Sequence, residues 1–288
     1  MIISHSNRFI FFKPIKVAGT SIEAALWSDC DKDVDLYTGA KLISEARDSK
    51  IDLLPRNNWS GEKVLNIADS KKYLKKHGQN DLLKKLENQD KIKQLRIVDP
   101  IFYEHTSPKM FSETEYSIPV DHYRTVSVVR NPFDMLVSYY WWSFNVEESI
   151  SPAFNEKYTK NKRKLSNLCP RHDDDIDLLR DKMLNFYNLP ANYSMSYRQP
   201  DSQITVLEWL AQWQNEFFLS DIDYWIKFED IKNTFHSACQ EMNINCPTLP
   251  RFKIGIRKSE IHFVDYFNKS LIMSVNRLFS KVIERFNY

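Results

Sequence analysis

Glycine is scarce in this chain: 288 residues hold five. That excludes collagen-like and Gly-rich repeats, and no repeat of solenoid period stands out. The five glycines are scattered, so GxGxxG is absent, and no Gly-Lys dipeptide exists. The dinucleotide fingerprint and the Walker loop, GxxxxGK[ST], are therefore both missing. Cysteine is sparse too. Cys30, Cys169, Cys239 and Cys246 form no CxxC pair, which argues against a zinc site and fits reduced, mostly structural thiols; a Cys239–Cys246 bridge stays open. No apolar run approaches the roughly 18 residues of a spanning helix. The start, MIISHSNRFIFF, has no charged segment followed by a long apolar one, so no signal peptide is read. Charge of one sign is lacking as well: 40 basic and 38 acidic residues leave +2. Any anion site must then be local. The lysine-rich stretch 63–96 holds a single aromatic, Tyr73, too little interleaving to make nucleic acid an expected partner.

What is present suffices for a large core: 42% of residues are hydrophobic and 14% aromatic. The length suits one large α/β domain or two small ones, and no convincing linker divides it. Residues 8–27 read as a strand running into a helix. One or two surface helices follow in SKKYLKKHGQNDLLKKLENQDKIKQLR, then a second strand in RIVDPIFYEH, 96–105. YRTVSVVR, 123–130, is the clearest strand, rich in β-branched residues. NPFDMLVSYYWWSF reads as the helix after it, 145–175 as irregular, and DIDLLRDKMLNFY and ITVLEWLAQWQNEFF as further helices. DYWIKFEDI, 223–231, is a strand leading into helix NTFHSACQEM, and an amphipathic helix runs from about Lys269. This alternation predicts an α/β fold of three layers, a central parallel sheet with helices on both faces. A single domain over 1–288 is expected, with variable regions at about 29–95 and 145–200.

Two segments carry chemistry. In FIFFKPIKVAGTSIEAALW, 9–27, an apolar strand meets a helix across Lys13, Lys16, Gly19, Thr20 and Ser21. Thr20 as N-cap with Glu23 three residues on fits a capping box. Gly19 would let the backbone turn tightly and approach a ligand. A helix start exposes unpaired N–H groups and partial positive charge, and Lys16 adds a mobile cation; together these suit phosphate. A plain capped helix with a solvated Lys16 is an equal reading of this segment alone.

The second segment, VSVVRNPFDMLVSYYWW, repeats the logic. Arg130 ends a strand, Asn131 is a good N-cap, Pro132 a good first helical residue and Asp134 sits at N3. Ser138 lies one turn beyond Asp134. Arg130 can grip phosphate bidentately, with Ser138 adding a hydroxyl. The competing reading pairs Arg130 with Asp134. Ligands of parallel sheets lie beyond the carboxyl ends of strands, which puts both segments on one edge. Two anion sites there suggest a ligand with two separated phosphates.

KPIKVAGTS resembles the 5′-phosphosulfate loop of sulfotransferases that use 3′-phosphoadenosine 5′-phosphosulfate (PAPS), and VVRNPFDMLVSYY resembles their 3′-phosphate segment. The likeness is to the carbohydrate branch, with Ile15 inserted between Pro14 and Lys16. YWIKFEDI and the terminal RFNY are weaker echoes. The resemblance implies a P-loop-like strand–loop–helix in which Lys16, Ala18, Gly19, Thr20 and Ser21 hold the phosphosulfate. It assigns the 3′-phosphate to Arg130 and Ser138, with Arg257 and Lys258 of GIRKSE adding to it. The implied activity is metal-independent sulfuryl transfer from PAPS to an acceptor hydroxyl, on a glycan or other hydroxyl compound, leaving 3′-phosphoadenosine 5′-phosphate (PAP). Lys16 would stabilise the leaving phosphate. His105, in FYEHTSPKMF, is the expected base, against a structural histidine; Glu104 is the neighbouring alternative and His122 a poorer one. A nucleotide-dependent phosphoryl transferase with an atypical loop is the alternative enzyme. A nucleotide- or glycan-binding module without turnover is the alternative to catalysis.

Other signals have plainer readings. The aromatics of SYYWWSF, 138–144, sit at core spacing, although sugar stacking is conceivable chemistry for them. KNKRK reads as a solvated loop, and the acidic residues of RHDDD as the start of a helix. A cytoplasmic location is expected. A Golgi-lumenal origin would make the sequons at Asn58 and Asn192 matter.

Overall fold

The apolar run at 9–12 forms a strand buried on both faces. In the computed structural model, which describes residues 1–38, 57–66, 94–116, 118–145, 164–171, 173–193, 202–252 and 261–288, β2 (Phe9–Phe11) lies at the middle of a five-stranded sheet. Residues 59–66, 94–100 and 145 are described by their backbone alone. The strand order is β3 (Leu36–Tyr37), β1 (Ile2–Ser4), β2, β6 (Arg124–Val129), β7 (Tyr224–Lys227).

The sheet is mixed, not parallel throughout. β2, β6 and β7 run parallel, whereas β1 is antiparallel to both β2 and β3. The reason is the link between β1 and β2. A turn over 5–8 cannot make the crossover that a parallel pair needs, so the chain folds back as a hairpin. Buried Asp35 ties that turn down, accepting from the backbone N–H of His5 at 2.6 Å and of Ser6 at 2.9 Å.

Successive strand residues point to opposite faces. Phe9, Ile10 and Phe11 of β2, and Val126 to Val129 of β6, are all buried, so both faces of these strands are covered. β7 is partly open, as an edge strand would be.

The second expected strand is displaced. β5 spans Gln94–Pro100 and pairs antiparallel with β4 (Trp59–Asn66) in a separate two-stranded sheet. Pro100, which has no N–H to give a ladder, ends it. Residues 101–105 leave as a turn instead of continuing the strand to His105. β4 lies within the variable region expected at about 29–95.

Most helices start where their capping residues predict. After α1 (Gly19–Trp27) and the short α2 (Pro108–Ser112), α3 covers Pro132–Asn145. Asn131 Oδ1 accepts from Phe133 N at 2.9 Å. α4 (Ile176–Tyr187) is capped by Asp175, and α5 (Val206–Phe218) by a full Thr205/Glu208 capping box. Such a cap contributes about 1 kcal/mol. α6 (Ile231–Glu241) follows β7 after a single 3-10 turn, and α7 spans Lys269–Phe286, capped by Asn268. α7 packs against α5 and α3. Tyr139, Tyr140, Trp141 and Phe144 of α3 are core, while Trp142 stays partly open. The surface helices expected within 70–96 lie outside the described residues, apart from the β5 portion.

None of the four cysteines is in a disulfide. No helix among the described residues is long and apolar enough to cross a membrane. Asn58 is buried, with its amide donating to Phe102 O at 2.7 Å and accepting from Phe102 N at 3.0 Å. That sequon nitrogen is consumed within the fold, whereas Asn192 is exposed.

Candidate functional site

β2 and β6 are neighbours and parallel, so the segments after them emerge on the same edge of the sheet. Lys16 and Arg130 meet there. Arg130 Nη1 donates to the carbonyl oxygen of Lys16 at 2.7 Å.

The loop between β2 and α1 is held by its backbone at three points. The carbonyl of Lys13 accepts from His105 Nδ1 at 2.8 Å. Ile15 is clasped by the fully buried Gln214 of α5, whose Nε2 donates to Ile15 O at 2.8 Å and whose Oε1 accepts from Ile15 N at 3.3 Å. The carbonyl of Lys16 takes Arg130. The inserted Ile15 therefore has a defined place.

The turn into α1 differs from its expected form. Lys16 and Ala18 both have φ of 60°, in the left-handed region. Non-glycine residues held there cost on the order of 1–3 kcal/mol each and cluster at ligand clamps. Ala18 is the N-cap and no side chain caps the helix. The Thr20/Glu23 capping box is thus not formed. Thr20 lies inside the first turn, and Glu23 turns away to accept from Lys13 Nζ at 2.6 Å and from the Met1 amino group at 2.5 Å. Buried Lys13 and the Met1 amino group thus take this carboxylate in place of a helix N–H.

Gly19 also serves a different purpose. It needs no left-handed freedom; a β-carbon there would lie 2.6 Å from Lys13 Cγ. The Lys13 stem crosses over it. Lys13 is 3% exposed and bridges Glu23 to Glu104, which sits at contact distance from Nζ. Burial opposes the charge of Lys13, but Glu104 and Glu23 together outweigh it and raise its pKa.

Ser21 is buried and its Oγ accepts from Phe252 N at 3.1 Å. This ties α1 to the segment leading towards Arg257 and Lys258, which lie outside the described residues.

The helix face after Arg130 completes the site. Asp134, Ser138 and Trp142 recur every four residues and share one side of α3. Arg130 Nε and Nη2 both reach Asp134 Oδ2, at 2.8 and 2.7 Å. The pairing with Asp134 is therefore the arrangement found. The guanidinium also stacks on Phe228, 3.9 Å from the ring centre. Ser138 is half-buried, and the Lys16 ammonium stands 5.1 Å from the centre of the Trp142 ring. Beyond β7, Glu229 accepts from Asn131 N at 2.6 Å and from Tyr288 Oη at 2.9 Å, so the FED turn and the terminal tyrosine border the same end.

His105 rests edge-on against Trp213, ring centres 5.7 Å apart. Although 26% of its side chain is open, burial dominates and pulls its pKa down to about 4; Glu104 opposes this and Lys13 adds to it. The ring is neutral at neutral pH. Because a carbonyl can only accept, Nδ1 carries the hydrogen and Nε2 keeps the lone pair. That is the tautomer a general base requires. His122 lies before β6, at the opposite end of that strand from Arg130.

Lys16, Ala18, Gly19, Thr20, Ser21, Arg130 and Ser138 thus gather at one edge, with His105 joined to the same loop. Sequence reasoning missed Gln214 and Phe228, and it noted Lys13 and Glu23 without their buried ion pair. A lysine directly after four apolar residues was a signal for Lys13; Gln214, one polar residue on an amphipathic helix, gave none. Among the described residues, no three His, Cys, Asp or Glu side chains converge to hold a metal ion. No family model, curated protein or solved structure matches the chain.

Proposed function

We propose that this chain is a PAPS-dependent sulfotransferase acting on an acceptor hydroxyl, with a carbohydrate as the acceptor class. The observation that carries the reading is the loop over residues 13–16. One of its carbonyls holds His105 and another holds Arg130, at 2.8 and 2.7 Å. A base and a phosphate-gripping arginine are thereby set around a cationic, left-handed turn. In this reading Phe9–Trp27 is a P-loop-like, phosphosulfate-binding strand–loop–helix within a three-layer domain.

PAPS supplies an activated sulfuryl group whose transfer leaves PAP. The chain's own residues fit its two anionic ends. Lys16 and the start of α1 provide positive charge where a leaving phosphate gains negative charge. Arg130, with Ser138 on the adjoining face of α3, suits the 3′-phosphate, which must compete with Asp134 for the guanidinium. His105 Nε2 is placed to take the acceptor proton.

The test is calorimetric titration with PAP, against ADP plus magnesium, on the wild type and on Arg130→Ala. Metal-independent PAP binding that is lost in the variant supports the reading. A magnesium-dependent preference for ADP overturns it in favour of phosphoryl transfer.

A further inference from the structure

Glu104 was the competing candidate for the base, and its position assigns it another task. Its Oε1 lies 3.8 Å from His105 Nε2 and is bound by Lys13 Nζ. Lys13 in turn holds Glu23 at 2.6 Å and gives its own carbonyl to His105 Nδ1. We propose that Lys13 and Glu104 are a positioning pair for His105: Lys13 fixes the imidazole tautomer through its backbone and restrains, through its ammonium, the carboxylate that faces Nε2. This deepens, and rests on, the sulfotransferase reading.

The proton path follows. As the acceptor oxygen bonds to sulfur, its proton passes to His105 Nε2, and the donor's bridging oxygen departs with the electron pair of the broken S–O bond. The new imidazolium then has a carboxylate 3.8 Å from the nitrogen that received the proton. Before transfer, burial keeps Nε2 unprotonated, and Lys13 offsets the opposing pull of that carboxylate. Glu104 supplies counter-charge at the moment it is needed and does not itself take the proton.

The charged groups around the ring come from several elements: Lys13 from the loop after β2, Glu23 from α1 with the Met1 amino group behind it, and Glu104 from its own turn. Glu216 of α5 is held nearby, accepting from Ser107 Oγ at 2.6 Å. Trp213 contributes an uncharged wall.

The test is NMR titration of the His105 ring in the full chain, which needs no substrate. The wild type should show hydrogen on Nδ1. Glu104→Gln, nearly isosteric and at a site 25% exposed, should lower the His105 pKa by about one pH unit, and Lys13→Met should raise it by a similar amount. In turnover, Glu104→Gln should lower kcat with little change in KM for PAPS. An Nε2–H tautomer, or a His105 pKa that Glu104→Gln leaves in place or raises, overturns the proposal; Glu104→Gln alone decides if Lys13→Met does not fold. PAP titration of the wild type separates the two ideas. No PAP binding there would overturn the sulfotransferase reading, while the ring titration would still judge the pair.

Discussion

A β-carbon on Gly19 would sit 2.6 Å from Lys13 Cγ, because the lysine stem runs directly over the first residue of α1. The stem cannot swing away while its ammonium is bound to Glu23 and Glu104. Gly19→Ala should therefore destabilise the protein by about 1–3 kcal/mol, as overpacking does. The drop would be read from the urea midpoint. In a Lys13→Ala background the same change should cost much less, and additive losses would show that the clash is not the cause.

Acid should weaken the fold in a definite window. The unfolded His105 takes a proton below about 6.5, but the folded one waits until about 4. Between these values the unfolded state binds more protons, so stability falls as pH drops from 6.5 towards 4. His5, with its pKa lowered by burial, acts in the same sense. Denaturation midpoints measured across this range should slope less steeply in His105→Gln. An unchanged slope would mean that His105 titrates alike in both states.

Asp134 occupies the arginine that the phosphate would need. Asp134→Asn should tighten PAP binding by roughly threefold to tenfold, corresponding to about 0.6–1.4 kcal/mol. Lys16 O continues to orient Nη1. Weaker binding in the calorimeter would instead make Asp134 an orienting partner that the site depends on.

Much of this architecture was legible because local chemistry decides it. The start of α7 at Lys269, the helix within ITVLEWLAQWQNEFF and the strand before Arg130 all follow from helical periodicity and β-branched runs. The Thr20/Glu23 box failed for a nonlocal reason: Lys13 and the Met1 amino group compete for Glu23, and their proximity depends on the β1–β2 hairpin. β1, at three residues, is too short for a periodic signal. For the site, the segments around Lys16 and Arg130 were readable as anion-binding candidates, and His105 as a base candidate. The clasp of Gln214 on Ile15 was invisible, since it joins residues 199 positions apart through an ordinary amide.

The loop over residues 13–16 is anchored through main-chain oxygens at Lys13, Ile15 and Lys16, which no side-chain substitution deletes. The path of this loop can therefore outlast a change of side chain, while the two ammonium groups of Lys13 and Lys16 cannot be replaced in the same way. The partners that reach in, His105, Gln214 and Arg130, enjoy no such freedom, because each contributes the only replaceable half of its bond. Inheritance of this backbone path would accordingly be traced through three distant letters of the sequence, alongside the two lysines of the loop itself.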